Sequence, residues 1–194
     1  MRKPWFNHSC ISKQEFHLSN AMRLVWEQHV YWTRMTINSI AFGLPDIDAV
    51  TTRLLRNATD MANLLKPFYG NRIAAKFTKL LRDHLIIAAE LVNAAKAGDQ
   101  EAVADAQRRW NRNGEDIAKF LSRINPFISR DEFQEMFFEH LEITTKQALL
   151  ILQNKFRSSI FVFDEIELQA LQMADTLTKA IVRQFPRRFR IKIC

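Results

Sequence analysis

Apolar residues recur at a period of 3.6 along almost the whole chain, and only 4 Gly and 5 Pro interrupt that pattern in 194 residues. Gly and Pro are what break helices, and strands would need a period of two, so the pattern demands long helices with short connections. The expected fold is all-α, and a hydrophobic content of 47% lets one domain of this length bury a sizeable core.

The punctuation sets the expected boundaries. A first helix starts near Leu18 or Ser19 and stops at Phe42 before 43-GLPD-46. Two short helices, 46–57 and 59–70, are opened by Asp46 and Thr59, and the second is closed by Pro67 and Gly70; they read as a bent connector. Asn71–Ala97 and Asp99–Ile124 follow, with Gly98 ending one helix and Asp99 capping the next. The capping box 129-SRDE-132 opens a helix to about Phe156, and after a break at 157–159 the last helix runs to Phe185, where Pro186 ends it. The expectation is an up-and-down bundle of four to five long helices with a short two-helix connector, without an internal repeat. Its parts are an N-terminal extension (1–18), a single bundle domain (19–186) and a basic C-terminal tail (187–194).

The net charge of +7 lies entirely at the ends, since residues 4–182 hold 21 basic and 21 acidic side chains. Nucleic-acid or anionic-surface binding therefore has a signal only in the tail, through Arg187, Arg188, Arg190 and Lys192. The two cysteines, Cys10 and Cys194, offer no disulfide framework or zinc ribbon. With no signal-peptide core and no run of 18 apolar residues, a soluble cytoplasmic protein without a membrane span is expected, and the sequons at Asn7 and Asn57 then carry no glycan. Oligomeric state is not legible. No P-loop, Gly-x-Gly-x-x-Gly or Gly-x-Ser-x-Gly is present, which leaves nucleotide-dependent and hydrolytic enzymes without support.

What stands out is polar. His29, His84 and His140 each sit on the apolar stripe of a long helix; in 137-FFEHLEITTKQALLIL-152 the stripe is Phe133, Phe137, His140, Thr144, Ala148 and Ile151. In the last helix Ile160, Phe163, Glu167, Leu171, Ala174 and Leu177 form a stripe that includes Glu167, with Asp164 one turn away. The three histidines and Asn113 lie within about two residues of their helix midpoints and Glu167 within about four, or roughly 3–6 Å of rise. They are therefore expected to share one layer of the core.

Imidazole nitrogens and a carboxylate oxygen meeting in a bundle core are the donors a divalent transition metal such as Fe, Mn or Zn takes. The ferritin-like two-metal class is excluded, because Trp26, Leu81 and Phe137 stand where its Glu-x-x-His motif needs glutamate, and five-histidine di-iron binding is excluded because only three of the five histidines lie inside the long helices. The expected site is mononuclear, with His29, His84, His140 and Glu167 as ligands, Asn113 and Asp164 supporting or alternative, and a small-molecule ligand or oxygen chemistry at an open position. The competing expectation is a non-enzymatic structural or interaction bundle with a buried His–Glu hydrogen-bond network.

The runs 24-LVWEQHVYWTR-34, 67-PFYGNRIAAKF-77, 84-HLIIAAELVNAAKAGD-99, 138-FEHLE-142 and 164-DEIELQALQMAD-175 resemble a group of small all-helical bacterial proteins of unestablished function. The resemblance covers roughly residues 20–186. It implies a helical fold with the same residue types at His29, His84, Asn113 and His140, while Gly114 and the tail 187–194 depart from the pattern. Some members carry the label acetylglutamate kinase, but such a kinase needs an α/β sheet with glycine-rich phosphate loops, which this chain lacks.

Overall fold

The computed structural model describes residues 11–190. Cys10, Cys194, His8, Arg2, Lys3, Asn7 and Lys192 lie outside the described residues. Five α-helices and no strand are found among those described: α1 (Lys13–Phe42), α2 (Ile47–Ala97), α3 (Gln100–Ile124), α4 (Arg130–Leu152) and α5 (Phe156–Gln184), followed by a 3-10 turn at Pro186–Phe189. They pack as a helical bundle in which α1 lies against α2 and α5, α3 against α2 and α4, and α4 against α5.

Several boundaries move for local reasons. Helix α1 begins at Lys13, ahead of the expected start near Leu18 or Ser19, because Ser12 is its cap, the hydroxyl accepting from the Glu15 N–H at 3.1 Å. The expected two-helix connector is instead one continuous helix: Thr59 lies inside it, and Asp46 accepts from the Ser39 hydroxyl at 2.7 Å instead of capping. Pro67 is accommodated within α2, and the chain bends at Gly70, whose φ of 81° and ψ of 174° are open essentially to glycine alone. Helix α4 ends at Leu152, before the expected break, because Asn154 adopts the left-handed conformation at φ 59°. The basic segment does not start as a free tail. Phe189 is buried and stacks on Phe68 at 5.8 Å, while Arg188 donates to the Pro67 carbonyl at 2.8 Å and lies over the Phe68 ring.

The larger correction concerns repetition. The described residues form three helix pairs whose buried positions correspond: α1 with residues 47–69 of α2, residues 71–97 of α2 with α3, and α4 with α5. Their turns carry Gly43, Gly98 and Asn154, all left-handed and each fourteen residues after His29, His84 or His140. The buried positions coincide. In the first helices Met22, Phe77 and Phe133 are equivalent, as are Trp26, Leu81 and Phe137, and Ile37, Val92 and Ala148. In the second helices Leu54, Trp110 and Ile166 correspond, then Asn57, Asn113 and Gln169, then Ala62, Ala118 and Ala174, and then Leu65, Leu121 and Leu177, each one 56 residues after the last. Sequence identity is confined mainly to 56-RNATDMANLL-65 against 112-RNGEDIAKFL-121, which conceals the repeat in a reading by residue type.

Candidate metal centre

All three stripe histidines are buried, at 6%, 2% and 3% exposure for His29, His84 and His140, and they come together as the shared depth predicts. The His29 ring lies 5.6 Å from His140 and 6.4 Å from His84, centroid to centroid. Trp110 at 5.3 Å and Phe137 at 5.8 Å wall the His84 ring, and Trp26 packs edge-on to His29.

His84 and His140 are each held by a side-chain amide from the second helix of the same hairpin. His84 Nδ1 is 3.0 Å from Asn113 Oδ1, and Asn113 Nδ2 donates to the Leu80 carbonyl at 3.0 Å. His140 Nδ1 is 3.0 Å from Gln169 Oε1, and Gln169 Nε2 donates to the Met136 carbonyl at 2.7 Å. Asn57 holds the equivalent place, donating to the Val25 carbonyl at 2.9 Å and opposing the lowering of the His29 pKa. The carbonyl is always that of the residue four before the histidine. The cause is helix geometry: side chains lean toward the N-terminus, so Nδ1 hangs over the preceding turn beside that carbonyl, and one amide spans both groups.

This clamp fixes the chemistry of the ring. The amide oxygen only accepts and its nitrogen is committed to the carbonyl, so Nδ1 must carry the proton and Nε2 keeps a lone pair. Burial holds the rings neutral. It pushes His84 down to about 3, reinforced by nearby His140, and pushes His140 down to about 4 against the opposing hydrogen bond of Gln169. His29 is driven well below 6.5 by burial and then by the other two histidines, with Asn57 opposing.

The expected carboxylates are not with them. Glu167 is half-buried and accepts from the exposed Tyr31 hydroxyl at 3.2 Å, while Asp164 is exposed. The buried stripe of α5 runs through Val162, Ile166, Gln169, Ala170 and Met173, so the phase expected for the first part of this helix is corrected by one residue, Ala174 and Leu177 are buried as expected, and the His–Glu network becomes a His–amide network. Asn57 and Gln169 were missed; their spacing of 56 on either side of Asn113 is the signal that would have found them.

Three neutral imidazoles suit a divalent metal. Metal–nitrogen bonds of about 2.0–2.1 Å in a tetrahedral arrangement put ring centroids roughly 5 Å apart, so the rings would have to close by about 1 Å. Among the described residues no group of three or more His, Cys, Asp or Glu side chains is placed to hold a metal ion. Beside the histidines lies a cavity of about 90 Å³, bounded by Thr33, Ala88, Val92, Ala95, Thr144 and Ala148 among others. No family model matches this chain, and neither does any curated protein or solved structure. No helix among the described residues is long and apolar enough to cross a membrane.

Proposed function

We propose that the protein is a metal-binding helical bundle that holds one divalent transition metal, of the Fe, Mn or Zn class, on His29, His84 and His140. The reading takes the fold as three up-and-down hairpins around a common axis, with one ligand from the first helix of each. The observation that carries it is the amide clamp on His84 and His140, which fixes the proton on Nδ1 and orients the ring. A metal-binding histidine needs that partner on its other nitrogen. A purely structural histidine would be satisfied more simply, with both nitrogens bonded, yet the hydrogen bonds of His84 and His140 are made by Nδ1 alone among the described residues. Three protein ligands leave a coordination position open, the arrangement of catalytic rather than structural sites. Glu167 and Asp164 are left out of the proposed ligand set.

The test is cobalt(II) and zinc titration of tag-free, chelator-stripped protein, with metal content by elemental analysis. One metal per chain is expected in the wild type and none in His84→Gln or His140→Gln, whose folding is checked by circular dichroism. Gln169→Leu keeps every ligand but loses the clamp on His140, and its affinity should fall about 10–100-fold. Substoichiometric metal in the wild type, or equal metal in the histidine variants, would leave the bundle with a His–amide network that serves packing alone.

A further inference from the structure

We infer that the cavity beside the three histidines is a binding site for a small neutral molecule of a few heavy atoms, which enters between Gln107 on α3 and Thr145 on α4. On the metal reading, on which this part rests, the molecule occupies the open coordination position. The cavity exists because the hairpins are not identical. Ala88 stands where the other two have Thr33 and Thr144, and Ala95 stands where they have Ile40 and Ile151, so one side of the layer is short of side-chain volume. Ile37, Ile40, Val92, Ala148 and Ile151 close the end nearest the turns.

The lining selects the occupant. At about 90 Å³ the space is smaller than the ~150 Å³ apolar cavity that holds benzene or xenon, so a diatomic or triatomic molecule fits and an aromatic ring does not. No charged side chain borders it, so an ion would lose its hydration without replacement. The hydroxyls of Thr33, Thr144 and Thr145 and the indole N–H of Trp110 are buried and have no hydrogen-bond partner among the described residues, and all four residues line the space; these are the polar groups that would orient a guest.

Entry is marked by shared walls. Gln107 and Thr145 line the inner cavity and also an outer groove formed with Asn111, Phe138 and Glu142. The two side chains are half-buried, one on each of two helices that belong to different hairpins, toward the ends of those helices away from the 125–129 loop that joins them.

Xenon is the probe that does not require a metal. In chelator-stripped protein the ¹²⁹Xe resonance should shift with protein concentration, and Ala95→Ile or Ala88→Leu should reduce occupancy by at least about tenfold by filling the space. The Ala95→Ile change copies the residue of the other two hairpins, so the fold should tolerate it. Thr145→Trp should slow xenon exchange without changing equilibrium occupancy. No protein-dependent shift, or equal shifts in both filling variants, overturns the cavity, and unchanged exchange in Thr145→Trp overturns the entry route. In iron(II)-loaded protein, nitric oxide should bind the wild type but not Ala88→Leu, which should retain its iron. Equal binding of nitric oxide would place it elsewhere. A chain that takes up no iron refutes the metal reading, while the xenon result still decides the cavity.

Discussion

Lowering the pH from 7.5 to 5.0 should destabilise the metal-free protein far more than its surface charge would suggest. In the unfolded chain the imidazoles titrate near 6.5; in the fold burial holds His84 near 3 and His140 near 4. A histidine depressed in this way contributes stability that is fully present above pH 6.5 and is lost as pH falls toward the folded values, because the unfolded chain then binds more protons. Each such group contributes a slope of about 1.4 kcal/mol per pH unit below 6.5, so at pH 5.0 the loss is about 2 kcal/mol per histidine and about 4 kcal/mol for the pair. His29 acts in the same direction. For a domain whose total stability is on the order of 5–15 kcal/mol, that is a large share. Urea unfolding at the two pH values measures it, and stopping at 5.0 stays above the ordinary range of carboxylates at about 4. His140→Gln cannot titrate at that position, so its pH-dependent loss should be smaller by about 2 kcal/mol whatever its stability at pH 7.5. Equal stability of the wild type at both pH values, or an unchanged loss in the variant, would show that the imidazoles are not held neutral in the core.

Two further changes test the repeat. Gly114 occupies the place of Ala58 and Ala170, and a Cβ there would meet Leu141 and Phe137 at 3.7 Å, an ordinary contact, so Gly114→Ala should raise stability by about 0.5–1 kcal/mol in urea unfolding. Asn154 takes the left-handed conformation of Gly43 and Gly98, so Asn154→Val should lower stability by about 1–2 kcal/mol while Asn154→Gly does not.

Much of the site was legible because a helix stripe is local information. His29, His84 and His140 interrupt apolar faces of long helices, and their equal depth follows from counting residues. The carboxylate was misread because α5 exposes Ile160, Phe161 and Leu168, at 53%, 65% and 64%, so apolar residues surround the helix and its phase is ambiguous from composition. Choosing Gln169 over Glu167 required knowing which face meets α4.

The sequence by itself determined the helices, the left-handed turns at Gly43 and Gly98 and the burial of three imidazoles, since these depend on backbone propensity and hydrophobic period within a single segment. Only the tertiary structure decided that the three hairpins correspond, that Asn113 and Gln169 clamp His84 and His140, and that small side chains leave a cavity beside the histidines. Those outcomes depend on contacts between segments some 28 or more residues apart, where matching shape and hydrogen bonding matter and residue identity need not repeat.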